Sequence, residues 1–143
     1  MAVSAQFLEF ALDLFGAVQP VRSRRMFGGA GFYAGEWFFA LADDDTLYFK
    51  VDAATRPAFA AEGMGPWRPL GPDAPAMNGY YQLPPRLYED TDELARWMRA
   101  AIAVAARATA RKASRPRRTG ARPRKSAPSR KRPRTSRGPS RGR

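Results

Sequence analysis

The chain reads as an α+β protein: a small, mostly antiparallel sheet of four to five strands, packed with N- and C-terminal amphipathic helices and followed by a disordered basic tail. Three observations predict this. Apolar residues recur at the helical period near both ends of residues 1–110. Between them lie short aromatic and β-branched runs separated by glycine or aspartate clusters, the pattern of strands joined by tight turns. Beyond residue 110 there is no aromatic residue and no aliphatic side chain larger than alanine. Nothing there offsets the backbone entropy of ordering.

Ser4 is a candidate N-cap, and Phe7, Leu8, Ala11, Leu12, Leu14, Phe15 and Val18 form the apolar stripe of a first helix. That helix ends between Gly16 and Pro20, because proline has no N–H and clashes with the preceding turn. Strands are expected near 21–27, 31–33, 36–42 and 46–51, with hairpin turns at 34–36 and 43–45. Trp37, Phe38 and Phe39 are apolar on both faces of a strand, which predicts a central strand covered twice, with a helix on at least one side. A two- or three-turn helix then fits 52–63, with Asp52 as N-cap, Pro57 in the first turns and Gly63 just past the end. The proline- and glycine-rich stretch 64–79 suits a long ordered loop or an edge segment, and "YYQL" at 80–83 returns to the sheet. Asp90 and Glu93 have capping-box spacing before the last helix. Its stripe is Leu94, Trp97, Met98, Ala101, Ile102, Ala105 and Ala108, with Arg96, Arg99 and Arg107 outside it.

Charge divides the chain at the same place as composition. Residues 1–110 hold 10 of the 25 basic residues and all 13 acidic ones, a balance of −3; residues 111–143 hold the other 15 basic residues and no acid, so the formal net charge of +12 belongs to the tail. A segment of that charge associates with DNA or RNA through phosphate neutralisation and counterion release, largely without sequence specificity. Its candidate phosphate contacts are Arg117, Arg118, Arg124, Lys125, Arg130, Lys131, Arg132 and Arg134. Cysteine and histidine are both absent, which excludes Cys/His zinc sites, cysteine nucleophiles, Ser-His-Asp triads and disulfides. The chain reads as non-enzymatic, with no cofactor and no metal. The first residues lack a basic n-region and carry Glu9 and Asp13 within their apolar pattern, so they do not read as a signal peptide, and no apolar run approaches 18 residues. The expectation is a cytoplasmic, nucleoid-associated protein with no membrane partner.

Four features of the body invite chemistry. "GGAG" at 28–31 beside Arg24 and Arg25 could cradle a phosphate, but such loops lead into a helix, and here "FYAGEWFFAL" follows, which is strand-like. Glycines giving positive φ or a bulge between strands are the favoured reading, and the two arginines remain candidate anion contacts. The carboxylates of residues 43–45 lack the spacing of a calcium loop and read as a solvated turn. Lys50, Asp52 and Arg56 read as the end of an edge-facing strand, a helix cap and an exposed charge rather than an acid/base set. The aromatics Trp37, Phe38, Phe39, Tyr48, Phe49, Tyr80 and Tyr81 could form a base-stacking sheet, but Glu36 and the aspartate run lie close in sequence, so core packing is favoured. Tyr80 and Tyr81 point to opposite sides of any strand, which leaves one of them as a candidate partner contact.

Taken in order, "RRMFGGAGFYAGEWFFAL", "LYFKVDAATRPAFAAEG" and "MNGYYQLPPRLYEDTDELARWMRAAIA" resemble the N-terminal domain of the TfoX/Sxy family across nearly all of residues 5–107. The resemblance implies an α+β domain, a role in regulating natural competence, and co-activation of transcription with the cyclic-AMP receptor protein. It implies no catalytic residues. Full-length regulators of this family carry a second, helical domain; here the basic tail is expected in its place. The leading expectation is therefore a regulatory or co-activator protein that touches nucleic acid through its tail and a protein partner through its globular domain. The alternative is a protein- or small-ligand-binding module with an incidental basic tail.

Overall fold

A computed structural model of the chain describes residues 3–114, with side chains through Arg111. The segment from residue 115 on, including all eight candidate phosphate contacts, lies outside the described residues. In order, the elements are α1 (Ala5–Gly16), β1 (Arg22–Met26), β2 (Gly29–Ala34), β3 (Trp37–Asp43), β4 (Thr46–Lys50), α2 (Arg56–Ala61), β5 (Pro66–Trp67), β6 (Met77–Gln82), a 3-10 helix (Pro85–Glu89) and α3 (Thr91–Ser114). The strands form one six-stranded sheet in the order β1-β2-β3-β4-β6-β5, with every neighbouring pair antiparallel. The strand beyond the expected four to five is β5, a two-residue edge piece within the proline-rich stretch.

The connections follow from local chemistry. Ser4 caps α1, its hydroxyl accepting from the Phe7 N–H at 3.0 Å. The β1–β2 turn places Phe27 at φ 41° and Gly28 at φ 80°, and the β3–β4 turn places Asp44 and Asp45 both at 53°. Two consecutive positive φ values match the twist of the flanking strands, as a two-residue hairpin requires. The run at 43–45 does more than face solvent: Asp43 is buried, and the Asp45 carboxylate accepts from the Ser4 N–H at 3.0 Å, tying the start of α1 to this turn.

"GGAG" proves to be strand connection and strand. A Cβ on Gly29 would fall on the Ala42 carbonyl oxygen, and one on Gly31 would lie 2.6 Å from Phe38 Cε1 and 2.8 Å from Met26 Cε. Glycine is needed here for close approach across the sheet.

The register sorts the side chains. Ser23, Phe32, Ala40, Phe49 and Tyr81 form one cross-strand row, and Arg24, Gly31, Leu41, Tyr48 and Gln82 form the next, on the opposite face. Between β2 and β3 the register slips: Phe32 pairs with Ala40 but Tyr33 pairs with Phe38, which leaves Phe39 as a bulged residue. Phe39 and Ala40 thereby share a face. That face carries the core, where the Phe15 ring of α1 meets Phe32, Phe39 and Phe49 at centroid distances of 5.1, 5.5 and 5.6 Å. Leu94, Met98, Ala101 and Ala105 of α3 and Phe59 of α2 belong to the same buried cluster. β3 is interior, as its apolar run predicts, but it is not covered twice: helices lie on one face only, and Phe38, which the bulge turns to the other, is half-buried.

The second helix is shorter than expected. Pro57 fixes its first turn and Thr55 is its N-cap, so α2 spans six residues and ends at Ala61, with Glu62 as C-cap and Gly63, φ 79°, just past it. Asp52 instead closes the preceding turn, accepting from the N–H groups of Ala54 and Thr55, and its other oxygen accepts from Arg107 of α3 at 2.7 Å. Asp90 accepts from the Glu93 N–H at 3.0 Å, but Glu93 does not reach back to complete a capping box. Its carboxylate is drawn to Arg86, which bridges Glu62 and Glu93 at 2.7 Å each and so links the end of α2, the 3-10 helix and the start of α3. α3 runs to Ser114, and the compact unit that holds the sheet covers residues 1–109.

Two outcomes follow. Gly31→Ala should cost about 1–3 kcal/mol, the usual range for an overpacked site, whereas Gly16→Ala, with open space around it, should leave the urea midpoint unchanged or raised. Arg86 holds Glu93 at about 2, below its ordinary 4.5, and lowers Glu62 as well. A depressed carboxylate stabilises the fold above its unfolded pKa and loses that contribution as pH falls towards the folded one. Arg86→Ala should therefore lower Tm at pH 7, and the gap from the wild type should close between pH 4.5 and about 2.

Candidate functional site

The face of the sheet opposite the helices carries a cluster of aromatic and basic side chains at one end. In β1, residues 22, 24 and 26 alternate onto it, and the register sets Arg22 against Tyr33 and Arg24 against Gly31. The bulge at Phe39 turns Phe38 onto it next to Tyr33, with ring centroids 5.1 Å apart and planes within 24°. Lys50 of β4 and Tyr80 of β6 are cross-strand partners on the same face. Their contact is a cation over a ring, with Nζ 4.9 Å from the Tyr80 centroid, matched by Arg22 lying 4.6 Å from the Tyr33 centroid. Phe38 and Tyr80 are 6.1 Å apart, and Tyr33, Phe38 and Tyr80 are each only half-buried.

The other end of this face is closed. Trp67 of β5, 7% exposed, packs against Phe27, Tyr48 and Tyr80, and its indole N–H donates to the buried Asp43 carboxylate at 2.9 Å. Leu41 is buried here beside Tyr48. Burial, then the nearby charges of Asp43 and Asp44, push the Tyr48 hydroxyl above its ordinary pKa. A cleft of about 530 Å³ lies at this end between Asp43, Asp44, Tyr48, Arg68 and the prolines of the β5–β6 loop. The acidic run that argued against a nucleic-acid surface thus belongs to the closed end, while Arg22 and Lys50 flank the half-buried rings at the other and Arg24 stands one row nearer, level with Leu41 and Tyr48.

The structure separates the candidate residues of the body. Arg24 is exposed on the helix-free face, whereas Arg25 is on the helix face and donates to the Val3 carbonyl at 3.0 Å. The two do not converge on a shared anion position, and the loop beside them leads into a strand rather than a helix N-terminus. Tyr80 lies on the helix-free face, and Tyr81 turns inward against Phe59, with centroids 6.3 Å apart. Lys50 does not end an edge strand: β4 lies between β3 and β6. A groove of about 290 Å³ runs between α2 and α3, lined by Lys50, Thr55, Phe59, Arg96 and Trp97 among others. Among the described residues no group of three or more His, Cys, Asp or Glu is placed to hold a metal ion, and no helix is long and apolar enough to cross a membrane.

Sequence reasoning passed over Arg22, Lys50 and Trp67 as members of one surface. Alternation along β1 carries the signal for Arg22 and Arg24, but Lys50 joins them only through cross-strand register, and Trp67 only through the fold of the proline-rich stretch.

These features define a one-sided α+β module: helices and core on one face of an antiparallel sheet, an aromatic and basic surface on the other. Residues 13–105 match the model of the TfoX N-terminal domain, and the chain belongs to that family. No curated protein matches the chain closely enough to count as a relative.

Proposed function

We propose that the chain is a non-enzymatic regulatory protein of the TfoX type, whose globular domain contacts a protein partner and whose basic segment holds nucleic acid. Family membership supports the regulatory role. The observation that carries the nucleic-acid part is the partition of charge, with 15 basic residues and no acid in 111–143 against a slightly acidic body. Phosphates would be engaged by Arg117, Arg118, Arg124, Lys125, Arg130, Lys131, Arg132 and Arg134, in binding that is strong at low salt and indifferent to sequence. This reading places the protein on the nucleoid, with a partner from the transcription machinery such as the cyclic-AMP receptor protein, as the family resemblance implies. One observation favours a second reading, a small-ligand-binding module with an incidental basic segment: the groove of about 290 Å³ between α2 and α3.

Duplex DNA binding across a salt series tests the first reading. With eight phosphate contacts, log K should fall against log salt with a slope of about −7. Replacing those eight residues by Gln should lower both affinity and slope. Equal binding by the two chains would remove the tail from the account, and no binding by the wild type near physiological salt would remove the nucleic-acid role altogether.

A further inference from the structure

We infer that the helix-free face of the sheet is a binding surface for single-stranded nucleic acid, with bases stacking on Tyr33, Phe38 and Tyr80 and phosphates held by Arg22, Arg24 and Lys50. This surface is separate from the basic segment, and the inference stands whether or not that segment binds DNA.

Three observations converge. The rings lie on adjoining positions of one face and are only half-buried, whereas Phe32, Phe39 and Phe49 on the other face are fully buried beneath the helices. Arg22 of β1 pairs with Tyr33 and Lys50 of β4 with Tyr80, which sets these two cations level with the rings at the end away from Asp43 and Asp44, and Arg24 follows one row nearer to those carboxylates. Arg22 and Lys50 already make cation–ring contacts, so the rings are presented to positive or polarisable groups rather than packed in an apolar core.

The chemistry selects the ligand. A phosphodiester chain with free bases offers what this face complements: planar apolar surfaces for the rings and a regular row of negative charge for the cations. A duplex hides its base faces, and a flat sheet does not enter its grooves as a helix or ribbon does. An acidic protein surface would meet the cations but leave the rings without planar partners. Arg22 and Lys50 need not be lost to the rings on binding, since an arginine plane can itself stack on a base. Two carboxylates stand near this end. Asp52 is engaged by Arg107, and Glu36 is exposed in the β2–β3 turn, where it would weigh against affinity but lies outside the row of rings.

The test compares a twelve-residue oligodeoxythymidylate with a twelve-base-pair duplex as fluorescent probes for the full-length chain, at about 150 mM salt, where surface charge is well screened. The wild type should bind the single strand whether or not the basic segment also holds the duplex. Tyr33→Ser should weaken single-strand binding about tenfold, the scale of one lost stacking contact, and leave duplex binding unchanged, while Tyr33→Phe retains it. Should Tyr33→Ser prove unfolded by circular dichroism, the exposed pair Arg22→Ala with Arg24→Ala makes the same test and should weaken single-strand binding. A basic segment acting alone would favour the duplex, with its higher charge density, and ignore these changes; that result overturns the inference. So would sedimentation showing a dimer that Tyr33→Ser dissociates, because the face would then be occupied by a second copy.

Discussion

One bulged residue, Phe39, divides the sheet into two different surfaces. Without it, the consecutive aromatic residues of β3 would alternate strictly, and Phe39 and Ala40 could not both face the helices. With it, Phe39 joins Phe32 and Phe49 around the Phe15 ring, and Phe38 is turned out beside Tyr33. The close approach of strands that places Phe38 over β2 also explains Gly31, where any side chain would occupy the space of the Phe38 ring. The glycine run and the aromatic run are two halves of one packing arrangement.

The helix side is then a problem of closure. α1 is set at its N-terminus by Ser4 and, through Asp45, by the β3–β4 turn. α3 is set by Asp90 at its start and by Arg107 reaching Asp52 further along. These polar ties are partly exposed, and pairs of that kind contribute little to stability singly. Their effect is to fix where the helices lie, while buried Phe15, Leu94 and Met98 supply the energy through apolar area removed from water. Because α1, α2 and α3 all contribute to this one cluster, the opposite face is left to its own side chains. Trp67 covers one end of it by hydrogen bonding to Asp43.

Much of this was legible in the sequence. The α1 cap, the stripe of α3, the hairpins at 34–36 and 43–45 and the interior position of β3 all follow from periodicity and turn chemistry, which act over a few residues. What was not legible depends on distant partners. Glu93 has capping-box spacing, yet Arg86 outcompetes the backbone for its carboxylate. Asp52 looked like a helix cap, yet Pro57 moves the start of α2 three residues on. The aromatic residues read as core because a strand pattern shows that two faces exist but not what covers each. The family resemblance, carried by three ordered blocks of sequence, agrees with the match over residues 13–105.

The central claim is that the two sheet faces have different work: one holds the protein together, the other meets a ligand. Amide chemical shifts of the full-length chain titrated with the same single-stranded oligonucleotide test this most directly. Shifts should concentrate at Arg22, Arg24, Tyr33, Phe38, Lys50 and Tyr80 and leave the helix-face residues Phe15, Phe49 and Ala101 in place. Shifts confined to residues 111–143, with the sheet unmoved, would contradict the account.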